Sequence, residues 1–196
     1  MKKPVKIIIA ILIVLIVGGV IGYWTAMWAY DPLYKAGAVK NGPWMTNLTV
    51  GSREAGLHIK AVIAMTSLLA LTKSEAVYYQ AEVDDSGKPL STKCIYRIDG
   101  KELDARWWSI TLYGEDNFLI PNEKNIYSYN MDTVNKNSDG SYSIYLSSTP
   151  REQNWLPSGS GDQKIALLLR LYNPGPTVYA NPGGIELPHI VKEACR

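Results

Sequence analysis

The stretch "QKIALLLRLY", Gln163–Tyr172, decides the fold. Its leucines invite a helical reading, but Ile165, Leu167, Leu169 and Leu171 fall on every second position. A period of two puts them on one face of a strand and leaves Arg170 on the other. Asn173-Pro174 follows at once, and proline ends regular pairing there. A leucine-rich strand closed by turn residues points to a β protein.

Working outward, the same period recurs. In "EAVYYQAEVD", Val77, Tyr79, Ala81 and Val83 alternate with Ala76, Tyr78, Gln80 and Glu82. "DDSGKP" after it is turn chemistry. Further strands are predicted at Thr92–Ile98 and Arg106–Tyr113, with shorter ones near Phe118–Ile120, Ile126–Tyr129 and Tyr142–Ser147. "NSDGS" carries the Asp-Gly signal of a tight hairpin into the last of these. Short strands separated by Gly, Asn and Pro turns predict a mainly β fold, a jelly-roll-like antiparallel β-sandwich.

One helix precedes these strands. "SREAGLHIKAVIAMTSLLALTKSE" offers Ser52 as N-cap and Glu54 in a first turn. Leu57, Ala61, Ala64, Leu68 and Leu71 form one stripe, and Ile59, Val62, Met65 and Leu69 another. The uncharged run from Ala61 to Thr72 is too short to cross a bilayer, so this helix is expected to pack on the sheet.

The N-terminus has a different composition. Lys2, Lys3 and Lys6 precede an uncharged run, "IIIAILIVLIVGGVIGYWTAMWAY", from Ile7 to Tyr30. As a helix it would reach about 36 Å, enough for a hydrocarbon core of about 30 Å. Tyr23, Trp24, Trp28 and Tyr30 gather at its far end as an interfacial belt. The lysines keep the N-terminus cytoplasmic by the positive-inside rule. The rival reading is a cleaved signal peptide, but the run is long and no clear A-x-A site follows. The expected organisation is a stub and transmembrane anchor over residues 1–30, a linker over 31–51, and an extracytoplasmic domain over 52–196.

Composition bounds function. With 46% apolar and 19% charged residues, the 196-residue chain can pack a core. Three of its 20 basic residues precede the anchor, and all 18 acidic residues follow it, leaving the domain close to neutral. That balance excludes a nucleic-acid partner.

Three motifs carry a family likeness: "WSITLY" at Trp108–Tyr113, "NWLP" at Asn154–Pro157 and "LRLY" at Leu169–Tyr172. With "EAVYYQAEVDDSGKPL" before them, the chain from about Ser52 to Pro174 resembles the domain of unknown function 1214. In many relatives this domain follows a second one, the domain of unknown function 1254. Here a membrane anchor stands in that place. The resemblance implies a jelly-roll-like sandwich preceded by a helix. It brings no established activity and no agreed catalytic residues.

Specific chemistry is sparse. His58 and His189 are the two histidines, and neither sits in a metal-binding spacing, so no metal or cofactor is expected. There is no G-x-S-x-G elbow, and no catalytic residue stands out. "SGSGD" at Ser158–Asp162 lacks the Lys-[Ser/Thr] ending of a phosphate loop. "NLT" at Asn47 matches a glycosylation sequon, which matters only in a eukaryotic secretory pathway. Cys94 and Cys195 either close one disulfide around about 100 residues, worth about 4–5 kcal/mol on the chain-entropy model, or remain a strand thiol and a tail thiol.

In "ARWWSITLYG", Ala105–Gly114, alternation places Arg106, Trp108, Ile110 and Leu112 on one face and Trp107, Ser109, Thr111 and Tyr113 on the other. With Ile110 and Leu112 toward the core, Trp108 plugs the sandwich. Arg106, Trp107, Tyr113, Trp155 and Arg170 form the candidate ligand-binding set. Each arginine either pairs with a buried carboxylate or receives a ligand's carboxylate. The expected protein is a single-pass bacterial inner-membrane protein with a periplasmic, non-catalytic binding or accessory module. Its expected partners are the bilayer, through residues 7–30, and a larger membrane complex. The alternative is an enzyme or carrier for a small apolar or aromatic ligand in a Trp/Tyr-lined cleft.

Overall fold

The computed structural model describes residues 3–65 and 70–195. A first helix, α1, runs unbroken from Lys3 to Ala36, and its Lys3–Thr25 portion is long and apolar enough to cross a membrane. None of that portion is buried against the rest of the chain.

The strands are β1 (Val39–Asn41), β2 (Trp44–Thr46), β3 (Ala76–Ala81), β4 (Cys94–Gly100), β5 (Ala105–Gly114), β6 (Ser128–Asn130), β7 (Tyr142–Ser147), β8 (Trp155–Pro157), β9 (Ile165–Pro174) and β10 (His189–Cys195). Helix α2 (Leu57–Met65) lies between β2 and β3, and a short α3 (Pro176–Ala180) between β9 and β10. Six strands form one sheet in the order β1-β2-β3-β9-β5-β6, and four form a second in the order β10-β4-β7-β8.

The two sheets share one core. Alternation in β9 buries Ile165, Leu167, Leu169 and Leu171, as the quoted stretch requires. β3 adds Val77, Tyr79 and Ala81, and β5 adds Trp108, Ile110 and Leu112. Facing them are Tyr96 and Ile98 of β4, Ile144 and Leu146 of β7, and Ile190 of β10. Trp108 stacks on Tyr142 across the gap, ring centroids 4.8 Å apart at 22°. Such aromatic pairs add about 0.5–1.5 kcal/mol to the burial of their area.

Some elements differ from the sequence expectation. Residues 31–51, read as a linker, continue α1 to Ala36 and then form the β1–β2 hairpin at the sheet's edge. That hairpin belongs to the fold, because Trp44 is fully buried and its Nε1 donates to the Pro188 carbonyl at 2.7 Å. Asn47 of the "NLT" triplet is only 4% exposed, and its Oδ1 accepts from the Thr49 hydroxyl at 2.7 Å. The triplet is therefore part of a packed turn.

Ser52 is not the helix N-cap. Turns occupy the chain from Asn47 to Ala55, and α2 starts at Leu57. The reason is at Gly51, with φ 77°, where a Cβ would fall 2.0 Å from the Leu71 carbonyl oxygen. The chain crosses itself there, which only glycine permits. Helix stripe positions Leu68 and Leu69 lie outside the described residues. Phe118–Ile120 makes one isolated bridge, Tyr113 to Leu119, in place of a strand. Finally, β7 and β8 pair in parallel, so the sandwich is not wholly antiparallel.

Candidate functional site

The outer face of the six-stranded sheet carries what the core face does not. On β5, Trp107, Ser109, Thr111 and Tyr113 point away from the core, and on β9 so do Leu168, Arg170 and Tyr172. Register sets Trp107 opposite Tyr172 and Ser109 opposite Arg170. On the other flank of β9, Tyr78 of β3 lies opposite Arg170.

Arg170 is the centre of this surface. Its Nη1 donates to Thr111 Oγ1 at 3.0 Å, and its Nη2 to Tyr113 Oη at 2.7 Å. The guanidinium carbon stands 5.7 Å from the Tyr113 ring centroid, within cation–π range. Among the described residues, no carboxylate pairs with it. Two neutral hydroxyls fix the fork's direction without cancelling its charge. A half-buried, oriented and unneutralised guanidinium is suited to a planar anion, which it can take bidentately.

Aromatic rings continue the face on both sides. Trp107 and Tyr172 meet edge to face, centroids 5.4 Å apart. Trp107 Nε1 donates to Asp132 Oδ2 at 2.7 Å, which fixes the indole's orientation. Tyr78 Oη accepts from the Leu71 backbone N–H at 3.0 Å. Burial pushes the Tyr78 phenol's pKa up, while that hydrogen bond and the Arg170 charge pull the other way. Ile59 and Ile63 of α2 pack against the cluster of Val50, Ala76 and Tyr78, as do Leu168 and Tyr172. Helix α2 thus walls one flank of the Arg170 surface.

The candidate set divides. Trp107, Tyr113 and Arg170 share this face. Arg106 does not join them, because alternation turns it to the opposite side, where it is exposed at the sandwich rim. Trp155 belongs to β8 in the second sheet, and its Nε1 donates to the Ser147 carbonyl at 2.9 Å. Asn154 beside it is buried, donating to the carbonyls of Asn135 and Ser143 and accepting from Asn135 N–H. The "NWLP" corner is therefore a packed turn. Sequence reasoning missed Thr111 and Tyr78, since only strand register brings them to Arg170. The motif "WSITLY" already held one of them.

A second concavity, a cleft of about 380 Å³, opens beside Gly100, Glu102, Tyr142, Glu186 and His189. Its charges are largely matched within the chain: Lys136 holds Glu102 at 2.6 Å, Arg97 holds Asp99 at 2.9 Å and Lys101 approaches Glu186 at 3.7 Å. His189 Nδ1 is 3.1 Å from Asp85. Groups already paired offer a ligand less than Arg170 does. Among the described residues, no cluster of three or more His, Cys, Asp or Glu is placed to hold a metal ion. Cys94 and Cys195 are joined, Sγ–Sγ 2.01 Å, fastening the end of β10 to the start of β4.

Together these features define a mainly β sandwich with an apolar N-terminal helix and a basic-aromatic outer sheet face. The chain belongs to the family described as protein of unknown function (DUF1214), which matches residues 75–176. That range runs from β3 through β9 and includes Tyr78, Trp107, Thr111, Tyr113 and Tyr172 around Arg170; α1, α2 and β10 lie outside it. The fold is similar to that of the VPA0106 protein from Vibrio parahaemolyticus, at 25% identity and a TM-score of 0.59. The match covers 72% of this chain and 36% of that one, so the present chain spans little more than a third of its relative. A putative uncharacterised protein from Burkholderia cenocepacia matches at 20% identity and a TM-score of 0.38, over 61% of this chain and 29% of that one. No curated protein matches the chain.

Proposed function

We propose that this is a single-pass inner-membrane protein of bacteria that displays a non-catalytic β-sandwich as an interaction module in the periplasm. Helix α1 is the anchor, with its lysines in the cytoplasm and the sandwich outside. The Cys94–Cys195 bond supports an oxidising compartment, where disulfides persist. The Vibrio source of the similar structure supports a bacterial setting.

The observation that carries the reading is Arg170. It is aimed by Thr111 and Tyr113, lacks a carboxylate within the described chain, and stands among Trp107, Tyr78 and Tyr172. Aromatic residues and arginine are what protein interfaces concentrate at their centres. The module's partner presents an anionic or carboxylate-bearing group to this face, as a subunit of a larger membrane complex would. The far greater length of the similar Vibrio protein supports a domain that works against other parts of an assembly. A small aromatic or apolar acid bound to the same Arg170 surface is the second reading, favoured by the tyrosines and tryptophan around the guanidinium.

Two measurements test it. Alkaline phosphatase fused to the C-terminus should be active, and inactivity would overturn the orientation. A photo-crosslinker placed at Trp107 in the full chain should give one discrete protein adduct that disappears with Arg170→Ala, while the same crosslinker at Phe118 gives none. Adducts insensitive to Arg170 would overturn the assignment of this face. A bound small acid in place of a protein adduct would select the second reading.

A further inference from the structure

We propose that α2 lies in the headgroup boundary of the same bilayer that α1 crosses, so that the sandwich rests against the membrane surface. This rests on the reading of α1 as an anchor. The occupant of the exposed side of α2 is lipid.

Three observations lead there. First, α2 has apolar residues on both sides. Its sequence, "LHIKAVIAM", carries one lysine and no acid. Ile59 and Ile63 pack toward the sheet, yet the residues turned away are Leu57, 83% exposed, and the exposed Ala61 and Ala64. A surface helix of a soluble domain keeps its polar residues on the outer side. Here the outward positions Leu57, Ala61 and Ala64 are apolar, with Lys60 the one charged residue of the helix exposed beside them.

Second, the one charge is drawn aside. Lys60 Nζ donates to the Arg53 carbonyl at 3.3 Å, so the ammonium turns toward the polar turn before the helix. A lysine at a membrane boundary snorkels in this way, keeping its head among polar groups while its stem stays apolar.

Third, position is constrained. α2 lies beside α1, and only Gly37 and Ala38 separate the end of α1 from β1. The sandwich cannot move far from the anchor. Trp24 and Trp28 are 67% and 81% exposed on α1, where an interfacial belt is expected above the span. A helix held beside the anchor is within reach of the boundary to which interfacial helices bind, sinking about 5–10 Å into it. Arg170, on the face that α2 flanks, would then open alongside the membrane and meet partners embedded in it.

The test uses the full chain in phospholipid nanodiscs with the native disulfide intact. Nitroxide labels are placed singly at Val14→Cys, Leu57→Cys and Phe118→Cys, all exposed positions whose replacement leaves the core unchanged. Accessibility to oxygen, which concentrates in lipid, is compared with accessibility to a water-soluble nickel complex. The Leu57 label should shift toward the lipid-like ratio of the Val14 label, and the Phe118 label should stay water-like. A water-like Leu57 with a lipid-like Val14 overturns the proposal and leaves the anchor standing. A Leu57 label shielded from both reagents means that protein, a second copy included, covers α2, and also overturns it. A water-like Val14 overturns the anchor and the proposal together. As a second variant, Leu57→Glu should restore nickel accessibility to a label at Ala61→Cys; no change there also counts against lipid contact.

Discussion

The six-stranded sheet has two faces, and adjacent tryptophans of β5 show how differently they are built. Trp108 faces inward, is fully buried and stacks on Tyr142. Its Nε1–H finds no hydrogen-bond partner among the described residues, and neither does Tyr142 Oη. Trp107 faces outward, half-exposed, with its Nε1–H on Asp132. The inner face accepts unsatisfied polar atoms in return for tight packing. The outer face satisfies or directs its polar atoms and leaves one cation without a counter-charge. Strain from missing hydrogen bonds therefore sits where stability is generated, and unneutralised charge sits where another molecule can reach it.

The contrast breaks most easily at Trp108. Trp108→Ala is expected to cost about 3–5 kcal/mol, the range for emptying a buried Trp site. Such a loss is comparable with the whole stability of a marginal domain. Denaturant unfolding of the full chain in detergent should show the midpoint fall sharply. Trp107→Ala should cost about 1–2 kcal/mol, because only part of the ring's area leaves water. Equal losses at the two positions would mean that both faces are core and that no interaction surface remains there.

How much of this contrast was legible in the sequence follows from its physics. Period-two alternation depends on each strand alone, so β5 and β9 could be read with the correct inward residues, including which tryptophan is buried. Pairing partners are long-range. Thr111, Tyr113 and Tyr78 meet Arg170 only because β9 runs between β3 and β5, an order that no local pattern encodes. The same limit hid β10: "HIVKEAC" has weak alternation, and its place is fixed by pairing and a disulfide to β4, nearly a hundred residues earlier. It also hid the late start of α2: the helical pattern in the sequence begins at Ser52, but the crossing at Gly51 and Leu71 sets the path and α2 begins at Leu57.

The inner face can be sharpened by removing its orphan atom. Tyr142 is pushed toward the neutral phenol by burial, with the Glu102 charge adding to it. Gly100 gives way to this ring: a Cβ there would lie 2.5 Å from Tyr142 Oη. Tyr142→Phe keeps the stack on Trp108 and deletes a hydroxyl that has lost water without gaining a partner, so a gain of about 1 kcal/mol is expected. A loss of that size in thermal unfolding would mean that the hydroxyl is hydrated, and that the inner face is less dry than its packing implies.

The smallest effect is expected at Arg170, and its smallness is the point. Arg170→Met keeps most of the apolar stem that lies on the sheet and removes the charged fork. Two hydrogen bonds go, to Thr111 and Tyr113, each worth about 1 kcal/mol net. Against this, a guanidinium that is half-buried without a counter-ion no longer has to be partly dehydrated, and that relief is of similar size. The two terms nearly cancel, leaving a stability change of about 0.5 kcal/mol in chemical denaturation. Arg170→Ala should cost more, because the stem goes as well. If Arg170→Met instead lowered stability by as much as Trp108→Ala, the arginine would be a structural pin for the β5–β9 pair, and the outer face would lose its claim to bind. A near-silent Met variant that loses the Trp107 crosslink would separate binding from folding at one side chain.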